Sequence, residues 1–239
     1  MSALDAVGFP TRGLSPDDLA GRLADWVRWP IERGGARDVE RAGRRLRVHE
    51  LPLGGGAHLV TVVETRKRYF LPGEEIVCFF PSHAGTEIRA LEIYGVDTPS
   101  CPLEPFATVA FPERIRFRVG NPFEATPEPG RNYPGALTLL ASRVEAAPEG
   151  TRPMVLAASL AHHDPELPAE LHAVAGRVEE RGGFVNAATG EPVMRWIVST
   201  PGGRLTVLAR AQGVAAAPEV GEMAAAEGEF VGTLGGAGA

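Results

Sequence analysis

Between residues 171 and 234 the chain breaks into short runs of alternating apolar and polar residues, separated by glycine and proline turns; this period-two pattern dictates β-structure. The runs are 171–178, 194–200, 205–211 and one ending at 230–234. Such strands each bury only one face, so they must close on one another as a small barrel or sandwich. With 239 residues and 44% hydrophobic content, the chain can support one large all-β domain or two ordinary ones.

One helix is expected ahead of the strands. Ser15 can cap it, Pro16 suits its first position, and Asp17 and Asp18 complement the positive end of its dipole. Leu19, Leu23, Trp26 and Val27 fall on one face, and Pro30 predicts a stop near Trp29. From 37 to 47 five arginines interleave with Asp38 and Glu40, in a stretch that can extend as a short second helix. Arg37, Arg41, Arg44 and Arg45 are the candidates there for holding an anion or nucleic acid, and a solvated face with internal ion pairs explains the same residues.

The middle of the chain reads as hairpins. Runs 46–51 and 58–64 flank Gly54, Gly55 and Gly56, which favours a hairpin with a loose turn; no helix with a Lys-Ser or Lys-Thr pair follows, so a P-loop lacks its parts. Runs 74–80 and 87–94 make a further expected pair, and the first is apolar on both faces, so it is central or covered. Runs 136–145 and 154–162 read as a hairpin about 148–150. Pro122, Pro127, Pro129 and Pro134 mark 121–135 as a linker or long loop. The division predicted is therefore a helical segment over 1–44, a first β domain over 45–120, the proline-rich stretch, and a second β domain over 136–239. A possible duplication aligns His58 and its strand with His172, and Ile76 and its strand with Trp196.

The C-terminal segment, about 170–235, resembles an OB-fold, the five-stranded Greek-key barrel. The residues that carry the resemblance are Ala173 to Val178 with Gly176 for a curved first strand, and Asn186 to Gly190 for the turn. Trp196 to Thr200 and Leu205 to Ala209 then supply strands two and three, and Pro218 to Gly221 with Glu227 to Gly232 the return. The fold class expected is thus mainly β with a short N-terminal helical segment, built as two small β-barrels or sandwiches, the C-terminal one OB-like. The resemblance implies an oligonucleotide face on strands two and three. Alternation puts Met194, Trp196 and Val198 inward and leaves Arg195, Arg204, Thr206 and Arg210 outward, with no aromatic ring for base stacking. Eight acidic residues against five arginines over 170–235 also weigh against a general single-strand binder.

Candidate chemistry is sparse. His162, His163 and Asp164, with His172 further on, are the densest group of metal-ligand types, but adjacent residues on a strand point apart. Ser82 beside His83 lacks a nucleophile elbow, and Cys78 reads as a buried thiol. Glu74-Glu75 and Glu179-Glu180 diverge in the same way and serve solubility. Cys78 and Cys101 follow no zinc or redox spacing, and two free thiols are the expected state. No cofactor is called for. The first ten residues lack the basic start and apolar core of a signal peptide, and no run reaches the roughly eighteen apolar residues of a spanning helix, so the expected place is the cytoplasm, with no membrane contact.

The function expected from these features is a non-catalytic binding or adaptor protein acting through protein–protein contacts, or self-association, at an aromatic excess that includes Tyr69, Phe70, Phe79 and Tyr94. The alternatives are single-stranded nucleic-acid binding through the arginines named above, and a metal-dependent enzyme using His162 or His163.

Overall fold

The computed structural model describes residues 3–41, 43–68, 71–98, 103, 105–111 and 113–235. A short helix α1 (Ala3–Ala6) is followed by α2 (Pro16–Arg33). Ser15 caps α2 as expected, its Oγ accepting from the Asp18 amide at 3.2 Å. The helix does not stop at Trp29: it runs one more turn, with Pro30 inside it and buried. A proline that close to the end forfeits a single backbone bond, and Gly34 still donates to the Pro30 carbonyl at 2.9 Å.

Strands β1 (Gly35–Arg41), β2 (Arg44–Gly54), β3 (Ala57–Arg68) and β4 (Leu71–His83) form an antiparallel four-stranded sheet in that order. The arginine-rich stretch is therefore the β1–β2 hairpin and not a second helix. Its charges alternate so that Asp38 lies opposite Arg47 and Glu40 opposite Arg45, a cross-strand pairing that favours extended chain. The glycine triplet makes the expected hairpin turn between β2 and β3, with positive φ at all three residues.

The rest of the protein is one larger sheet. Its strands are β5 (Arg89–Asp97), β6 (Phe106–Ala110), β7 (Arg114–Val119), β8 (Asn132–Ala146), β9 (Met154–Ala157), β10 (Leu171–Val185), β11 (Pro192–Thr200), β12 (Gly203–Arg210), β13 (Val214–Ala216) and β14 (Met223–Leu234). Two closed five-stranded rings run through it. In the first, β5, β6 and β7 pair in sequence, β7 lies parallel to β14, and β14 returns through β8 to β5. In the second, β10, β11 and β12 pair in sequence, β12 lies parallel to β8, and β8 returns through β14 to β10. Both orders match that of an OB barrel, in which strand three is parallel to strand five and strand four closes onto strand one. The first ring has its strands in OB chain order; the second is permuted, with its fifth strand, β8, made first.

The pair β8–β14 belongs to both rings. Residues 132–135 of β8 face β5, whereas 138–140 face β12. One core results, because Tyr133, Leu137, Leu139 and Ala141 alternate inward along β8 and join Ile93 and Phe117 of the first ring to Trp196 and Val207 of the second. The opposite face of the shared pair is also buried. Leu140 and Val231, with Val193 and Leu208, are covered by α1, Phe9, Trp26 and the four-stranded sheet.

This pairing departs from several expectations. Strand β4 does not pair with β5, nor β8 with β9, which instead lies beside β10 and leads into a short helix, α3 (Ala158–Ala161). Strands on either side of 121–135 are joined in one ring, so the proline-rich stretch does not divide the pairing. The suggested duplication aligned β3 with β10, whereas the topological repeat relates β5–β7 to β10–β12. Strand β4 is covered on both faces over its second half, with Cys78 and Phe80 buried on one face and Phe79 half-buried under the helices. No helix among the described residues is long and apolar enough to cross a membrane.

Candidate functional site

Most of the arginines expected to meet nucleic acid are paired with carboxylates or partly covered. Arg37 bridges Glu50 at 2.9 Å and Glu124 at 2.7 Å, and Arg44 holds Glu64 through two bonds of 2.8 and 2.6 Å. Arg41 is half-buried, and burial lowers its pKa. Arg45 is exposed and faces Glu40 across the hairpin. Arg195 is half-buried on β11, and Arg204 lies among Glu87, Glu179 and Glu180.

Met194, Trp196 and Val198 do face into the second barrel, but much of its outer face on β11 and β12 is covered, with Ile197, Thr206, Leu208 and Arg210 buried. Thr206 is fully buried, and Arg210, 7% exposed, pairs with the 2%-exposed Asp5 at 3.2 Å. Asn186 donates to the Val7 carbonyl at 2.6 Å and Thr189 to the Gly8 carbonyl at 2.8 Å, fastening the N-terminal segment over this face. The apolar residues Ile197 and Leu208 on the outward side are the sequence signal for that cover.

The histidines do not converge. His162 meets Glu227 at 2.8 Å on the surface, and Asp164 accepts the Glu166 amide at 3.0 Å. His163 sits in an exposed turn at φ 53°. His172 is a core residue: its ring lies edge-on to Phe230, its Nδ1–H donates to the Glu170 carbonyl, and its Nε2 accepts from the Arg116 amide. Desolvation lowers its pKa. Among the described residues no three His, Cys, Asp or Glu side chains are placed to hold a metal ion.

Ser82 and His83 point to opposite faces of β4. His83 is buried between sheet and barrel; Gly85 donates to its Nδ1 at 3.0 Å, and its Nε2–H donates to the Gly55 carbonyl at 3.0 Å. Ser82 instead lies directly opposite His58, an arrangement the sequence conceals because the two are on different strands. With Glu50, Glu124, Asn121 and Thr233 they line a pocket of about 130 Å3. It lacks the parts for acyl transfer. The Ser82 hydroxyl donates to the Gly120 carbonyl at 3.0 Å, and the nearby Gly120 and Ala84 amides are already bonded to Gly232 and Gly56.

The aromatic excess is likewise dispersed. Phe79 packs under the helices, and Tyr94 lies on the outside of the first barrel, where its hydroxyl donates to Glu92 and Arg114 covers its ring. Tyr69 and Phe70 lie outside the described residues.

An open apolar surface does occur on the β10–β11 hairpin. Strand β10 pairs with β14 only through Arg177, and beyond Val178 its other neighbour is β11 alone. Between this free edge and the loop before β14 lies an open groove of about 660 Å3, lined by Arg181, Gly183, Val185, Pro192, Met194 and Glu219 among others. The register sets Gly183 opposite Met194 and Val185 opposite Pro192, so these four share one face. Val185 and the neighbouring Val220 are 61% and 60% exposed. The hairpin is held from behind: Phe184, on the other face, seats on Gly54 and Gly55, and Ala187 donates to the Leu53 carbonyl at 2.9 Å. Alternation marks only 171–178 as strand; Phe184 and Val185 after two glycines are the signal for its continuation over 179–185. No protein-family model, curated protein or solved structure matches this chain.

Proposed function

We propose that this protein is a non-catalytic binding module that acts through protein–protein contacts, and that the β10–β11 hairpin is its contact surface. The observation that supports this reading is the groove: an apolar strip rigidly backed by the glycine turn, with exposed Val185 at its tip. Isolated exposed apolar residues need no explanation, but a strip beside an unpaired strand edge fits a contact surface. The other readings find less support, since the OB face is covered by the chain's own N-terminus and the histidines are dispersed.

Cross-linking of the full chain in its native cell, followed by affinity capture, tests the reading. Val185→Glu should abolish the cross-linked species, and Leu160→Glu, on the exposed surface of α3, should leave it unchanged. A monomer with no cross-linked partner, or a species indifferent to Val185→Glu, would overturn it. So would oligonucleotide binding that weakens steeply with salt and is lost in Arg195→Glu, which would favour nucleic acid instead.

A further inference from the structure

Resting on the contact surface just proposed, we infer that the groove takes an extended, cationic-apolar segment of a partner protein as an additional strand along residues 180–185 of β10. Three observations meet there. The main chain of this stretch pairs on one side only, and none of the described residues bonds to its outer edge. Beside that edge the groove offers an apolar face of Gly183, Val185, Pro192 and Met194, where alternate side chains of an added strand would project. Gly182 and Gly183 contribute no side chain, so an incoming backbone can approach.

Charge selects the occupant. Glu179, Glu180, Glu219 and Glu222 flank the edge against Arg177, Arg181 and Arg204, with Arg181 paired to Glu219 and Arg204 to Glu179 and Glu180, which leaves an excess of one negative charge. A second copy brings the same acidic rim to the same place, and the chain as a whole carries −6. A strand with apolar residues toward the groove and lysine or arginine between them meets both requirements.

A synthetic peptide of alternating valine and lysine, fluorescently labelled, tests this against the full-length protein. Binding by polarisation is expected, with slowed amide exchange confined to 180–185. An otherwise identical valine–glutamate peptide should not bind. N-methylation of the peptide amides, which leaves its side chains in place, should weaken binding roughly tenfold, as should Val185→Asp. Exchange elsewhere in β11 and β12 reports that the variant is folded. Equal binding of the N-methylated peptide, no binding by any peptide, or dimerisation of the chain lost in Val185→Asp would each overturn strand addition. If no peptide binds while native cross-links still depend on Val185, the contact surface stands and only this mode of recognition fails.

Discussion

Removing the Asp5 carboxylate tests whether the cover over the second barrel is held by its buried ion pair. Asp5 Oδ1 receives Arg210 Nη2 at 3.2 Å and the Thr11 amide at 3.2 Å, while Arg12 Nε lies 3.5 Å from Oδ2. In Asp5→Ala the guanidinium of Arg210 stays buried beneath α1 with only Gln212 at 3.3 Å and Glu191 at 3.9 Å. Breaking one side of a buried pair costs about 3–5 kcal/mol. For a chain of this size that lowers Tm by roughly 6–20 °C. Replacing both members, as in Asp5→Leu with Arg210→Met, removes the stranded charge and should recover most of the loss. Urea unfolding followed by tryptophan fluorescence reads the effect directly, because Phe9, in the same segment, packs edge-on to Trp26 with ring centres 5.1 Å apart. A single-variant cost below about 1 kcal/mol, or a double variant as unstable as the two singles summed, would refute the reasoning.

Burial holds the His83 pKa at about 4, against an ordinary 6.5. The unfolded chain therefore takes up this proton first as pH falls, and about 3 kcal/mol of stability, fully present above pH 6.5, is lost between 6.5 and 4. Urea midpoints across that range should show the slope in the parent and a shallower one in His83→Asn; equal slopes would remove His83 from the account. Gly55 has φ +56°, and an added Cβ there runs into the Phe184 ring. Gly55→Ala should cost about 2–4 kcal/mol by chemical denaturation, and Phe184→Ala in the same chain should return the packing share but not the backbone share. Equimolar zinc should leave the melting temperature unchanged, since both ring nitrogens of His172 are already bonded inside the core; a rise that is lost in His162→Ala would contradict this.

Four of the five strands of the second barrel can be read from alternation, because a strand with one face inward must write that fact into every second residue. Strand β8 was visible as a run but not as the missing fifth strand. Alternation fixes which face of a strand is buried and says nothing about which neighbour it pairs with, so the 136–145 run was joined to the next strand in sequence. The N-terminal cover was illegible for a related reason. Residues 1–10 read only as a stretch unlike a signal peptide, and the tertiary fold alone turns Asp5 into the counter-ion of Arg210. The arginine run misled through its charge; its period-two placement, with Arg37, Val39 and Arg41 on one side and Asp38 and Glu40 on the other, was also a strand signal. The candidate site was the least legible part, since an unpaired edge is the absence of a neighbour and leaves no mark on the residues that lack it.

The shared pair β8–β14 ties the fate of both barrels to the last strand of the chain. Neither ring closes without β14, which supplies the strand parallel to β7 in one and the antiparallel partner of β10 in the other. A chain ending at residue 222 keeps β10, β11 and β12 and all of the first ring except one strand, yet exposes inward residues of both cores, including those facing Phe230 and Ala226. It should therefore lose cooperative unfolding in both barrels at once, and not retain one as an independent unit. Calorimetry distinguishes the outcomes: the full chain should give a transition that includes both barrels, and the truncated chain none for either. A surviving cooperative transition from the truncated chain, with slow amide exchange in β10–β12, would mean that the second barrel closes on β8 alone and that the continuous core is not one cooperative unit.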